Sequence, residues 1–190
     1  MTIPLDGPRI APASGGAPGS IVILIHGYGS NGEDLIGLAP YWRAALPHTL
    51  FVSPNAPYPC PGAPGGFQWW SVGGGDRSSG LKAAAPILDA FIDGELARHG
   101  LSDGNLALVG FSQGTMLALH VGPRRPRRIA GIVGFSGMLI DDPADPPATR
   151  PPVLLIHGDA DPMIPIAAFH HARDGLARQG FELTTHVSPG

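Results

Sequence analysis

The chain has 190 residues, of which 43% are hydrophobic, and a formal net charge of −3 at pH 7. This length suits one domain with a sizeable core, so we expect a single domain over residues 1–190. The negative net charge argues against nucleic acid as a partner. Cys60 is the only cysteine and no apolar run is long enough to cross a bilayer. We therefore expect a cytoplasmic protein with no internal disulfide and no stable membrane insertion.

The first half of the chain alternates apolar runs with loops rich in glycine and proline. Residues 1–20 are rich in Gly, Pro, Ala and Ser, which predicts a mostly irregular lead-in. Continuous apolar runs predict buried strands, and apolar residues at helical spacing predict amphipathic helices. These patterns predict a strand at 21–25, a helix at 30–45 opened by a capping box, a strand at 49–53, a loop-like stretch at 54–80 and a helix at 81–99.

The second half continues the alternation. It predicts a strand and a helix that meet at Ser112, a strand at 129–135, a proline-rich loop at 141–152, a strand from 153, a helix at 166–179 and a strand at 181–187. Alternating strands and helices imply a doubly wound, mainly parallel sheet. Ligands of such sheets bind outside the carboxyl ends of the strands. Residues 26–28, Ser112 and residues 157–161 each follow a predicted strand, so we expect them at one edge of the sheet.

The chain reads Gly110-Phe111-Ser112-Gln113-Gly114 where a predicted strand meets a predicted helix. A strand, a tight turn and a helix form the context that the Gly-x-Ser-x-Gly nucleophile elbow requires. The turn forces the serine into a strained backbone conformation, and the flanking glycines are needed because bulkier residues would collide. We therefore interpret Ser112 as a nucleophile. The alternative is a glycine-rich turn in which Ser112 only caps the helix.

An oxyanion hole needs two backbone donors beside the nucleophile. Gln113 offers its N–H at the N-terminus of a helix. Tyr28 is placed to offer the second, because it follows the first buried strand between two glycines that let the backbone approach a ligand. The alternative is an ordinary glycine turn with a surface tyrosine. For His26 and His157, we expect structural hydrogen bonds rather than a role as base.

A serine nucleophile also needs a base, and an acid that orients the base. In this kind of fold the order along the chain is Ser, then Asp or Glu, then His. Asp161 follows a later strand and begins a new loop, which favours it over Asp159 as the acid. At least one of these two aspartates is expected only to form a turn.

One basic run, Arg-Arg-Pro-Arg-Arg at 124–128, follows the predicted elbow helix. Charge runs are usually solvated, so we interpret this one as an exposed loop. The alternative is a contact with a phosphate or an anionic surface.

Four segments in order resemble one known family. They are Leu-Ile-His-Gly-Tyr-Gly-Ser-Asn-Gly at 24–32, Gln-Trp-Trp at 68–70, Gly-Phe-Ser-Gln-Gly at 110–114 and His-Gly-Asp-Ala-Asp-Pro-Met-Ile-Pro at 157–165. From about residue 9 to its end, the chain resembles the carboxylesterase/phospholipase family of α/β-hydrolases, which includes acyl-protein thioesterases. The resemblance implies a three-layer α/β-hydrolase fold with a mainly parallel sheet and helices on both faces. It also implies Ser112 as nucleophile, Asp161 as triad acid, the N–H groups of Tyr28 and Gln113 as oxyanion hole, and Trp69, Trp70 and Ile164 as acyl-site lining, for which core packing is the competing explanation.

The catalytic histidine that the resemblance implies is missing from this sequence. In the family it lies in a Gly-His segment a few residues beyond the last strand, and a closing helix follows. His186 is the nearest candidate, but it falls within the predicted last strand, several residues too early. His170 and His171 lie in a predicted helix. We therefore expect an α/β-hydrolase domain truncated at its C-terminus, without the closing helix and with little activity of its own.

The resemblance implies a serine carboxylesterase that hydrolyses short- to medium-chain carboxylic esters through an acyl-enzyme. The same oxyanion hole serves other acyl substrates, so an acyl-protein thioesterase or lysophospholipase is an alternative. The missing base leaves open a non-catalytic binding protein of the same fold. We expect no cofactor and no metal, since neither a metal-ligand cluster nor a dinucleotide-binding glycine pattern is present. The expected partner is a small-molecule acyl ester, and the sequence leaves a homodimer open.

Overall fold

A parallel sheet forms the centre of the computed structural model, which describes residues 3–73, 76–140 and 142–189. The strands are β1 (Arg9–Ile10), β2 (Ser20–Ile25), β3 (Thr49–Val52), β4 (Tyr58–Pro59), β5 (Phe67–Gln68), β6 (Leu106–Phe111), β7 (Gly131–Phe135), β8 (Val153–Gly158) and β9 (Leu183–Ser188). Seven of them lie in the order β1-β3-β2-β6-β7-β8-β9, and every neighbouring pair except β1 with β3 is parallel. This confirms the predicted mainly parallel sheet. Six residues lie outside the described ranges. They are 1 and 2 in the predicted lead-in, 74 and 75 in the predicted loop at 54–80, 141 in the predicted loop at 141–152, and 190 at the chain end.

Two short strand pairings lie where the sequence predicts irregular chain. β1 falls in the lead-in and pairs antiparallel with the edge strand β3. β4 and β5 fall in the predicted loop at 54–80 and form a small antiparallel hairpin, with Tyr58 opposite Gln68. Strands of two residues carry no measurable period, so the sequence pattern does not predict them.

The helices are α1 (Gly32–Ile36), α2 (Ala39–Trp42), α3 (Arg77–His99), α4 (Gln113–Arg124) and α5 (Ile166–Arg178). None of the helices in the described ranges is long and apolar enough to cross a membrane. α3 begins four residues before the start predicted from its apolar spacing. Asp76 caps it there by accepting hydrogen bonds from the N–H groups of Ser78 and Ser79.

The predicted helix at 30–45 is wrong in both its start and its continuity. Ser30 forms a β-bridge with Phe67, so Asn31 caps α1 instead, and its Oδ1 accepts the N–H of Asp34 at 3.0 Å. α1 ends at Ile36 with Gly37 as its C-cap, and α2 begins afresh with Pro40 in its first turn. Proline has no N–H to donate, so it fits the first turn of a helix and not the interior.

Both faces of the sheet carry helices, which confirms the three-layer architecture. Alternate residues of β2 point to opposite faces: Ile21, Ile23 and Ile25 pack in the core with α3, α4 and α5, whereas Val22 and Leu24 pack with α1 and α2. In the described part of the chain, only these two short helices cover the second face. Beside them an apolar cleft of about 280 Å³ remains, lined mainly by Leu35, Leu38, Val109, Phe111 and Phe135.

Arg125 contradicts the prediction that the basic run is a solvated loop. Its side chain is only 4% exposed, and its guanidinium contacts Asp89 and Asp93 of α3 at 2.7 Å. Its Nε donates to Asp103 at 2.8 Å. The fold gathers these three carboxylates from separate positions around one cation, which a local charge pattern does not predict. Arg127, in the same run, is exposed as expected.

We predict that Arg125→Met lowers the free energy of unfolding by about 3–5 kcal/mol, because Asp103 would stay buried without its cation. Arg127→Met is the matched control, since only the backbone N–H of Arg127 binds Asp103. We expect the control to change stability by about 0.5 kcal/mol or less. Urea unfolding followed by circular dichroism compares the two variants, and equal, small changes in both would contradict a structural role for the ion-pair cluster.

Candidate active site

Ser112 lies on a sharp turn between the end of β6 and the start of α4. Its backbone has φ +53° and ψ −112°, the strained conformation predicted for an elbow. Its N–H donates to the carbonyl of Phe135 on the neighbouring strand at 2.9 Å. A Cβ atom on Gly110 would collide with the backbone of Gly114, so a side chain at this position would force the strand and the helix apart. Ser112 itself is half-buried rather than enclosed in the core.

The two predicted oxyanion donors lie on segments that meet at this turn. Gln113 is the first residue of α4, so its N–H has no partner within the helix. The N–H of Tyr28 has no acceptor among the described residues. Gly27 lies directly against the elbow, since a Cβ atom there would be 3.2 Å from the Cβ of Ser112. The structure therefore brings the loop of Tyr28 into contact with the serine, as the oxyanion-hole prediction requires.

Asp161 lies in the turn that follows β8, at the same edge of the sheet. Its Oδ1 accepts the N–H groups of Met163 at 2.8 Å and Ile164 at 2.9 Å. The pKa of Asp161 lies below its usual value, first because of the Ile164 hydrogen bond and also because of the Met163 N–H and the hydroxyl of Ser136. Asp159 is exposed, and its N–H donates to the carbonyl of Ser188 on β9. The more enclosed of the two residues is therefore Asp161.

Ser136 is a site residue that the sequence reasoning missed. It follows β7 just as Ser112 follows β6, in register, and it also has a positive φ of +45°. Its N–H donates to the carbonyl of Ile156 on β8 at 3.0 Å, and its hydroxyl is one of the groups that lower the pKa of Asp161. The available signal was the repeated Gly-Phe-Ser, at 110–112 and again at 134–136.

His26 has a structural role, as the sequence analysis expects. Its Nε2 accepts the N–H of Ala56 at 2.9 Å, so the proton lies on Nδ1, which donates to the carbonyl of Gly27 at 2.7 Å. Burial lowers the pKa of His26, which keeps the ring neutral and preserves both bonds. A ring with both nitrogens occupied in this way is not available as a base.

Two further histidines, His157 and His186, lie on β8 and β9. His157 is buried, and its Nε2 donates to the carbonyl of Ile164 at 2.8 Å while lying 3.9 Å from Oδ2 of Asp161. His186 is exposed within β9, paired with Ile156 below the end of the strand. Among the described residues, no hydrogen bond joins a histidine to Ser112. In the same ranges, no group of three or more His, Cys, Asp or Glu is arranged to hold a metal ion.

The residues predicted to line the acyl site differ in exposure. Trp69 is 1% exposed and Trp70 is 6% exposed, and both belong to the main core. Both rings pack against core residues, and their role in lining the acyl site stays a prediction beside the competing explanation of core packing. Ile164 is half-buried beside Asp161 and packs at the border of that core.

We predict that Ser136→Ala raises the pKa of the Asp161 carboxyl group, because the hydroxyl stabilises the charged form. A carboxylate whose pKa is lower in the folded than in the unfolded protein stabilises the fold at pH values above its unfolded pKa of about 3.9. This stabilisation is lost as the pH falls through the folded pKa. The variant should therefore lose less stability on acidification. Carboxyl ¹³C NMR titration measures the shift. Ser30→Ala is the control, since its hydroxyl donates to Asp34 instead, and an Asp161 titration equal in both variants would contradict the assignment.

Comparisons with known proteins identify the family of this chain. The chain matches the Phospholipase/Carboxylesterase family over residues 8–188. Acyl-protein thioesterase 1 of Kluyveromyces lactis is 31% identical over 98% of this chain and 86% of its own length, and esterase YpfH of Escherichia coli is 28% identical over 88% and 72%. The crystal structure of esterase PE8 superposes with a TM-score of 0.90 and 41% identity, covering 98% of this chain and 89% of that one. This chain therefore belongs to the phospholipase/carboxylesterase family of α/β-hydrolases.

Proposed function

We propose that this protein is a serine carboxylesterase that hydrolyses short- to medium-chain carboxylic esters through an acyl-enzyme. The observation that carries the proposal is the strained backbone of Ser112, φ +53°, at the N-terminus of α4 and against Gly27. Strain of this kind in a residue other than glycine persists where the surrounding structure enforces it, and it is frequent at active sites. The esterase named in the comparison at 41% identity supports the same reaction class.

In the proposed reaction, Ser112 Oγ attacks the carbonyl carbon of the ester as a base removes its proton. The negative charge that develops on the carbonyl oxygen is stabilised by the N–H groups of Tyr28 and Gln113. The tetrahedral intermediate then collapses, the alcohol leaves with the proton, and the acyl group stays on the serine. Water attacks this acyl-enzyme in the same way and releases the carboxylic acid. Asp161 orients the base and stabilises its protonated form.

We propose that the base is a histidine carried by chain that follows β9. Ser188, the last residue of β9, accepts the N–H of Asp159 at 3.0 Å, so residues beyond it start beside the turn that holds Asp161. His186 lies two residues before that point and is paired with Ile156 within the sheet. A residue a short distance after Ser188 is therefore better placed than His186 to reach both the acid and the nucleophile.

Thioester hydrolysis is the second candidate, because a relative that is 31% identical over 98% of this chain is an acyl-protein thioesterase. The same two backbone donors stabilise the oxyanion whether the leaving group is an alcohol or a thiol. Matched butyryl ester and butyryl thioester substrates, compared by kcat/KM, separate the two candidates. A preference of more than about tenfold, 1.4 kcal/mol in transition-state stabilisation, would assign the substrate class.

We predict near-background hydrolysis of p-nitrophenyl acetate by the 190-residue chain, because loss of one triad member in a serine hydrolase costs up to about a millionfold in turnover. Added imidazole should raise the rate in proportion to its concentration, since it can act as the base that we propose follows β9. Ser112→Ala should abolish the protein-dependent part of that increase. Ser14→Ala, at an exposed serine in the lead-in, is the control and should keep it.

The outcomes of this experiment separate the alternatives. A rate that depends on Ser112 but not on imidazole would place the base within residues 1–190. The His186→Gln variant would then show whether His186 is that base. A rate unchanged in Ser112→Ala would overturn the nucleophile assignment. Binding of an acyl chain without any turnover, with and without imidazole, would favour the non-catalytic binding protein.

A further inference from the structure

The side chain of Gln113 is buried although it is polar, with 3% of the residue exposed. Both ends of its amide are bound to a segment more than forty residues earlier in the chain. Its Oε1 accepts the N–H of Trp69 at 3.2 Å, and its Nε2 donates to the carbonyl of Trp70 at 2.8 Å. A buried amide that lost one of these partners would leave a polar group unsatisfied, so the pairing fixes the segment relative to the start of α4.

The hydrogen bonds continue from Trp69 to the loop of Tyr28. The indole Nε1–H of Trp69 donates to the carbonyl of His26 at 2.9 Å, and the two rings lie 5.7 Å apart between centroids. The His26 ring is itself bound to the carbonyl of Gly27 and the N–H of Ala56. The buried network therefore ends one residue before Tyr28.

We propose that the side chain of Gln113 is a positioning residue that holds the two oxyanion donors at a fixed separation. The backbone N–H of Gln113 is one proposed donor, and its side chain sets the place of the other, Tyr28, through Trp69 and His26. This inference deepens the proposed function and depends on it for its kinetic consequence. The structural coupling from Gln113 to Tyr28 is independent of hydrolysis and is tested separately.

Gln113→Met removes both hydrogen bonds and keeps a similar side-chain volume and the backbone N–H. Gln68→Met is the matched control: Gln68 is also buried and lies next to Trp69, but its Nε2 donates to Pro59 within the β4–β5 hairpin. In the 190-residue chain, ¹⁵N NMR resolves the indole N–H groups of the three tryptophans and the amide of Tyr28. We expect Gln113→Met to speed hydrogen exchange at the Trp69 indole by about tenfold or more and to shift the Tyr28 amide signal, and Gln68→Met to do neither.

Gln113→Glu tests the same coupling with a reversible change. The introduced carboxyl group can donate to Trp70 only when protonated, and burial raises its pKa. The Tyr28 amide signal should therefore titrate with pH in this variant, returning toward its original position in acid, and should not do so in the unaltered protein. This variant also keeps the inference testable should Gln113→Met fail to fold.

The kinetic readout uses imidazole-supported hydrolysis of p-nitrophenyl acetate. A donor displaced from the oxyanion lowers kcat, so we expect a loss of about tenfold in kcat with KM within twofold for Gln113→Met. An unmoved Tyr28 amide in both Gln113 variants would overturn the coupling, whatever the activity. A moved amide with unchanged Ser112-dependent kcat would overturn the role in the oxyanion hole. Loss of the proposed function itself would appear separately, as hydrolysis that does not depend on Ser112.

Discussion

Backbone packs directly against backbone where β2, β6 and α4 meet, and the site depends on this close approach. A Cβ atom on Gly114 would overlap the carbonyl group of Ile25, and one on Gly110 would overlap the start of α4. Gly27 lies against Ser112 from the neighbouring loop with a wider spacing, since a Cβ atom there would be 3.2 Å from the Cβ of Ser112. Because nothing larger than hydrogen fits between these segments, the helix begins immediately after the strand. The strained backbone of Ser112 and the unpartnered N–H groups beside it both follow from that geometry.

The sequence predicts those features that depend on residues close together in the chain. The continuous apolar run of β2 and the glycine spacing around Ser112 each occupy a few consecutive residues, and both led to the right structure. Two features that depend on distant partners were predicted wrongly. Arg125 is buried because carboxylates from three separate positions surround it, and Ser30 fails to cap α1 because its backbone pairs with Phe67.

Residue type alone also does not settle the role of large or ionisable side chains in the site. Trp69 and Trp70 are as well suited to a core as to an acyl pocket, and only their neighbours decide between the two. His26 stays neutral because it is buried, and its Nε2 serves as an acceptor. The pKa of Asp161 is lowered because the backbone N–H groups of Ile164 and Met163 donate to its carboxylate. The two residues therefore need surroundings of opposite kind, one that keeps a ring neutral and one that favours a charge, and a linear motif records neither.

α4 connects the geometry of the site to the stability of the fold. Its first residue, Gln113, lies in the site, and Arg125, directly after its last turn, is fixed to α3 and to Asp103 by ion pairs. A helix of 12 residues is about 18 Å long, so a tilt of roughly 5° about the far end would move the first N–H by about 1.5 Å. Displacements near 1 Å can cost about a hundredfold in rate. We therefore expect the ion pairs of Arg125 to affect the position of the proposed oxyanion donor as well as the stability of the fold. The two effects are separable, since stability is measured on unfolding and donor position on turnover.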